Sequence, residues 1–142
     1  MERVFPTNSK TETQKVAEML GLSLSGGEII FLKGDLGAGK TAFVGGLLKG
    51  LGINADATSP TFSLVNEYKG EKTLYHFDMY RINTEEELYS IGFYDYLDGD
   101  SVIAIEWAEN VIDYLPKCDI SVKIEKTGEN ERKIILRGDT LK

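Results

Sequence analysis

The 142-residue sequence holds one cysteine, one histidine, one tryptophan and three prolines. A lone cysteine, Cys118, cannot close an internal disulfide, which excludes the disulfide-stapled class and fits a reducing compartment. Its expected place is half-buried beside a strand. A lone histidine, His76, lacks the partners of a metal cluster. No apolar stretch approaches the roughly 20 residues that span a bilayer. No basic-then-apolar leader is visible either, so a soluble, cytoplasmic chain with no membrane contact is expected. Runs of lysine and arginine are also missing. With 23 acidic against 16 basic residues and a net charge of −7, the surface repels nucleic acid overall. Any service to an RNA pathway would then pass through a protein partner. Glu85-Glu86-Glu87 and the acidic stretch 95–100 suit solvated faces or helix starts, with partner docking as the other reading. Internal repeats, low-complexity tracts and linkers are absent. A chain of this length buries roughly 68–70% of its unfolded surface, enough for one core, and residues 1–142 are expected to form a single domain.

Glycine, by contrast, is plentiful, and its placement is informative. Residues 34–41 read Gly34-Asp35-Leu36-Gly37-Ala38-Gly39-Lys40-Thr41, a complete G-x-x-x-x-G-K-T phosphate-binding pattern. The apolar run Glu28-Ile29-Ile30-Phe31-Leu32 leads into it as a strand, and Thr41-Ala42-Phe43-Val44 leaves it as a helix. Glycines at 34, 37 and 39 let backbone amides approach and face an anion, reinforced by the positive end of the following helix. Lys40 would bridge β- and γ-phosphate oxygens, and the Thr41 hydroxyl would ligate Mg²⁺.

The rest of the chain reads as alternating elements. Ser9-Lys10-Thr11-Glu12 is a capping box, followed by a helical stripe of Val16, Met19 and Leu20 closed by Gly21. Residues 61–68 and 73–82 flank Lys69-Gly70-Glu71-Lys72 as a β-hairpin. Thr84-Glu85-Glu86-Glu87 is a second capping box, opening a short helix through Leu88 and Ile91 that Gly92 stops. Residues 101–105 form an apolar strand, and 108–115 look helical up to Pro116. Strands 119–126 and 132–138 surround Gly128-Glu129-Asn130-Glu131 as a second hairpin. Parallel strand–helix units plus two hairpins predict an α/β fold. It would be a mixed sheet with a parallel core, antiparallel hairpins and helices on both faces, as in P-loop nucleotide-binding domains. Ligands in such sheets lie outside the carboxyl ends of the parallel strands. Strand 28–32 delivers Gly34 there, and strand 101–105 delivers Glu106.

Glu106 ends Val102-Ile103-Ala104-Ile105-Glu106 as a Walker B strand does, and can hold Mg²⁺ opposite Thr41. The alternative is a strand that ends at a surface acid. Asp78 is the second acid, in His76-Phe77-Asp78-Met79-Tyr80-Arg81, where alternation puts His76, Asp78 and Tyr80 on one face. An acid in an apolar strand needs a partner or a metal. Asp78 is expected to orient the attacking or a magnesium-bound water, the alternative being an ion pair with Arg81 or a lysine. His76 reads as structural or as hydrogen-bonded to Asp78. Between the loop helix and the first hairpin, Thr58-Ser59-Pro60-Thr61-Phe62 offers hydroxyls at Ser59 and Thr61 where nucleotide switches place their γ-phosphate sensor.

Together the glycine-rich loop, Ser59-Pro60-Thr61-Phe62, His76-Phe77-Asp78-Met79-Tyr80-Arg81 and Ile105-Glu106-Trp107 resemble the TsaE (YjeE) family over nearly the whole chain. The resemblance implies a small bacterial ATPase of tRNA N6-threonylcarbamoyladenosine synthesis, slow alone and partner-stimulated. ATP and Mg²⁺ are its implied cofactors, and the TsaD–TsaB pair its docking partner, with tRNA met only indirectly. By the same resemblance Asp35, Gly37, Ala38, Gly39, Lys40, Thr41 and Ala42 hold the nucleotide, Thr41 and Glu106 the metal. Lys40, Asp78 and Glu106 fall on catalytic positions, and Trp107 on one tied to activity, whether it packs at the sheet edge or meets the partner. Asn8 and Arg132 fall near the family's adenine and basic nucleotide contacts. Rival readings fit less well. A small-molecule kinase needs an acceptor insert and an arginine-bearing lid, whereas Lys69, Lys72 and Arg81 are the cations between residues 50 and 100. A GTPase needs N-K-x-D, and no asparagine here precedes a lysine. A nucleotide-gated binding module without useful turnover differs from the ATPase in degree.

Overall fold

Residues buried on both sides of a sheet form near-continuous apolar strands, and two such runs make the centre of this fold. They are β2 (Ile29–Lys33) and β5 (Val102–Glu106). In chain order the other strands are β1 (Glu2–Thr7), β3 (Val65–Tyr68), β4 (Leu74–Asp78), β6 (Ile120–Lys126) and β7 (Arg132–Arg137). The helices are α1 (Lys10–Ser23), α2 (Lys40–Gly50) and α3 (Glu85–Ser90), with 3₁₀ segments at Phe93–Tyr96 and Ala108–Tyr114. This computed structural model describes residues 1–35, 37–61 and 63–138. Leu36 of the glycine-rich loop, Phe62 of the hydroxyl loop and residues 139–142 lie outside the described residues.

The seven strands make one mixed sheet in the order β1-β7-β6-β2-β5-β4-β3. β6, β2, β5 and β4 run parallel, and β3, β7 and β1 add antiparallel strands at the two sides. The expected architecture is therefore present, and each face of the sheet is covered. On one face Ile30, Leu32, Leu74, Val102, Ile120 and Val122 pack under Val16, Ala17 and Leu20 of α1 and Phe43, Val44 and Leu47 of α2. On the other, Ile29, Phe31, Phe77, Ile103 and Ile105 pack against Leu88, Phe93, Ala108 and Val111. Cys118 lies half-buried beside this second cluster. Both capping boxes form: Ser9 and Thr84 accept from the amides of Glu12 and Glu87. Each glutamate reaches back one residue beyond the cap, to the amides of Asn8 and Asn83.

Several sequence expectations change. β1 was not anticipated: Glu2, Arg3 and Pro6 make a polar, proline-bearing segment of the kind that sheet edges accept, and β1 pairs only with β7. α1 runs through Gly21 to Ser23, because Gly21 is a packing glycine: a Cβ there would stand 2.6 Å from the Leu47 carbonyl oxygen of α2. Met19 faces outward, 54% exposed, and leaves the stripe to Val16, Ala17 and Leu20. The first hairpin is shorter than expected. Thr61 and Ser63 lie in turns, Leu64 follows at φ 69°, and β4 stops at Asp78. The segment before Pro116 is 3₁₀ rather than α, broken at Val111 with φ −135°.

Candidate functional site

Strand register decides which side chains meet at the carboxyl edge of the parallel sheet. Glu106 pairs with Leu32 of β2 on one side and with Asp78 of β4 on the other. Both acids thus reach the edge where β2 runs into the glycine-rich loop. His76 lies two residues before Asp78, a diagonal neighbour of Glu106 on the same face. α2 begins at Lys40 just after Gly39, whose φ of 108° is open to glycine, as is the 80° of Gly37. Lys40 and Thr41 therefore stand in the first helical turn, over the strand ends.

Lys40, Glu106 and His76 form one chain, with Lys40 half-buried at its outer end and the other two buried. Lys40 Nζ lies 3.1 Å from Glu106 Oε1, and His76 Nε2 is 2.6 Å from Glu106 Oε2. His76 is fully buried, Glu106 6% exposed. The carboxylate accepts, so Nε2 carries the proton, while Nδ1 is buried with no hydrogen-bond partner among the described residues. Burial pushes the Glu106 carboxyl up. The hydrogen bond and charge of His76, with the Lys40 ammonium, outweigh that and hold it below the ordinary carboxylate range. His76 bonded to Glu106 replaces the expected pairing with Asp78. Alternation within β4 put both residues on one face, but only the β4–β5 register shows which acid the ring reaches.

Asp78 is buried, and its Oδ1 accepts the Tyr80 amide at 2.9 Å, a local turn that fixes the carboxylate as β4 ends. A cavity of about 560 Å³ opens beside it, lined by residues that include Gly39, Lys40, Thr41, Ser59, Thr61 and Asp78. Ser59 and Thr61 bond each other through their hydroxyls at 2.7 Å. Tyr80, Glu106 and Trp107 complete the wall. Trp107, 38% exposed and at φ 59°, packs on the Tyr80 ring with centroids 5.0 Å apart. Lys40 Nζ lies 5.9 Å from the Trp107 ring centroid, within cation–π range. Asn110 ties the loop together by donating to the carbonyls of Met79 and Tyr80. Sequence reasoning missed the Tyr80–Trp107 stack and the Asn110 tie. Their only signal was an aromatic just after each acid-bearing strand.

Ala38 and Ala42 line a smaller cavity of about 180 Å³ with Lys10, Thr13, Gly39, Asn130 and Arg132. Asn8, before the α1 cap Ser9, has its amide held by Glu12 and is not among the residues lining this cavity. Asp35 accepts the Ala38 amide through its backbone carbonyl and lines a third cavity with Gly34 and Lys40. Arg132 turns its guanidinium onto loop carbonyls. Among the described residues no cluster of three or more His, Cys, Asp or Glu gathers, and no helix is long and apolar enough to cross a membrane.

Comparison with known proteins points to one family. The family model described as Threonylcarbamoyl adenosine biosynthesis protein TsaE matches residues 7–134. The tRNA threonylcarbamoyladenosine biosynthesis protein TsaE of Treponema pallidum is 38% identical over 128 residues, 90% of this chain and 95% of that one. The Haemophilus influenzae protein of the same name is 44% identical over 114 residues, 79% of this chain and 72% of its own. The crystal structure of Bacillus subtilis YdiB superposes with a TM-score of 0.77 at 32% identity, covering 96% of this chain and 84% of that one. With the fold, the family match and the relatives in agreement over most of its length, this chain belongs to the TsaE family, the threonylcarbamoyl adenosine biosynthesis proteins.

Proposed function

We propose that this chain is a cytoplasmic, Mg²⁺-dependent ATPase of tRNA N6-threonylcarbamoyladenosine synthesis. It binds ATP alone, turns it over slowly, and hydrolyses it productively when docked on the TsaD–TsaB pair. Turnover would reset that pair, and tRNA would be reached only through it. One observation carries the reading: Lys40, in the first turn of a helix behind a glycine-rich loop, pairs with the Glu106 carboxylate, and both line a cavity large enough for a nucleotide. A triphosphate entering that cavity competes with Glu106 for the ammonium. As Lys40 moves to the phosphates, Glu106 Oε1 is released toward the space that Thr41 borders, while His76 keeps Oε2 in place.

One hydroxyl and one carboxylate are too few for a resident metal cage, and the described residues offer no larger cluster. They fit Mg²⁺ that arrives with the nucleotide and keeps phosphate oxygens and waters as its other ligands. Bound there by Thr41 and Glu106, the ion would neutralise charge on the phosphates. Asp78, its carboxylate oriented by the Tyr80 amide, would take a hydrogen bond from the attacking water. Ser59 and Thr61 face the same cavity and suit a switch that senses the γ-phosphate.

The test pairs calorimetry of Mg-ATP against Mg-GTP with ADP release measured with and without TsaD–TsaB. ATP preference and stimulation by the pair are expected. No ATP binding would refute the reading, and ADP release that depends on a small-molecule acceptor would favour a kinase instead.

A further inference from the structure

Arg132 opens β7, yet its side chain reaches the glycine-rich loop. Nε donates to the Ala38 carbonyl at 2.8 Å and Nη2 to the Gly37 carbonyl at 3.2 Å. Nη1 donates to Gly128, Glu129 and Glu131 carbonyls at 3.1, 3.2 and 2.9 Å. One half-buried guanidinium thus joins two segments about ninety residues apart, the loop and the β6–β7 turn.

The consequence follows from the planarity of the peptide unit. In a trans peptide the carbonyl and the next N–H point opposite ways. Holding the Ala38 carbonyl therefore sets the Gly39 amide to face away from Arg132. Gly39 is the residue before α2 and has no side chain to cap the helix. A Cβ at Gly37 or Gly39 would meet nothing within 4 Å, so side-chain packing does not hold these two residues in place. Their orientation is held through the backbone, and Arg132 supplies two of the bonds. Only a planar fork with five donors can serve both segments at once; a lysine ammonium, a single point with three donors, cannot span them.

We propose that Arg132 is a positioning residue that braces the loop from behind, fixing the Ala38–Gly39 peptide so that its amide is preset to receive a phosphate oxygen. This inference rests on the phosphate-binding reading above. It differs from the expectation that Arg132 touches the nucleotide itself.

The experiment compares wild type with Arg132→Lys, which keeps the charge, and Arg132→Gln, which keeps part of the donor set. Affinities for Mg-ATP and for inorganic tripolyphosphate, which has no base or sugar, are measured by calorimetry. Amide exchange of residues 37–41 is followed in the protein alone, with α1 and β5 as internal references for an intact fold. Both variants are expected to lose affinity for the two ligands in parallel, by about tenfold, as for lost bonds to a charged donor. Exchange in the loop should accelerate while the references hold. Loss of ATP affinity alone, with tripolyphosphate binding and loop exchange unchanged, would replace the brace with direct contact to the base. No change in any of the three also overturns the brace. If wild type binds neither ligand, the ATPase reading fails, and exchange judges the brace separately. Faster loop exchange in Arg132→Lys then upholds it, and unchanged exchange rejects it.

Discussion

At the scale of single residues, Glu106 is the pivot, because its two oxygens serve different partners: Lys40 on one, His76 on the other. Lys40→Ala is expected to lower ATP turnover about 10²–10³-fold, as expected for one preorganised charge contact, measured by ADP release. Glu106→Gln should weaken nucleotide binding only when Mg²⁺ is present, which calorimetry with and without the ion separates. Asp78→Asn should spare ATP affinity and slow hydrolysis; abolished binding would give Asp78 a different role. The depressed Glu106 carboxyl also predicts acid sensitivity. The unfolded side chain titrates near about 4.3. The stabilising contribution is complete above that value and is lost as pH falls through it toward the lower folded value. Denaturation curves from about pH 5 downward should therefore show Glu106→Gln losing less stability than wild type. Much at this scale was legible, since Lys40, Thr41, Asp78 and Glu106 stand in local motifs. The partner of His76 was not, because it depends on strand register between segments 30 residues apart.

Elements are governed by contact between helices as much as by local signals. α1 and α2 approach through glycines: a Cβ on Gly46 would lie 2.6 Å from the Ala17 Cβ, and one on Gly50 2.8 Å from the Gly21 Cα. Gly46→Ala should destabilise by about 1–3 kcal/mol, as overpacking does, with thermal melting as the readout. Gly45→Ala, whose Cβ would stand 3.4 Å from the Gln14 side-chain amide, should change it far less. The starts of α1 and α3 were legible from their capping boxes, which local chemistry dictates. The ends were not. Gly21 looks like a stop signal in sequence but is a helix–helix contact, and that distinction exists only after packing. β1 was illegible for a related reason: an edge strand carries little apolar pattern of its own, and its place comes from the ladder to β7.

For the whole molecule, the delivery of Glu106 and Gly34 to one sheet edge was legible from parallel strand–helix order, while the strand order was not. β6 flanks β2 although 86 residues separate the end of one from the start of the other, and no local feature encodes that choice. The result is a loop supported by β2 beneath, α2 ahead and the β6–β7 turn behind. Mg-ATP at 100 times its dissociation constant should stabilise such a fold by about 2.7 kcal/mol through mass action, seen as a rise in melting temperature. Most decisive is a crystal structure with Mg²⁺ and a non-hydrolysable ATP analogue. The triphosphate should lie in the turn between β2 and α2, with Lys40 moved from Glu106 onto its oxygens. A nucleotide bound elsewhere, with Lys40 still paired to Glu106, would contradict the central claim.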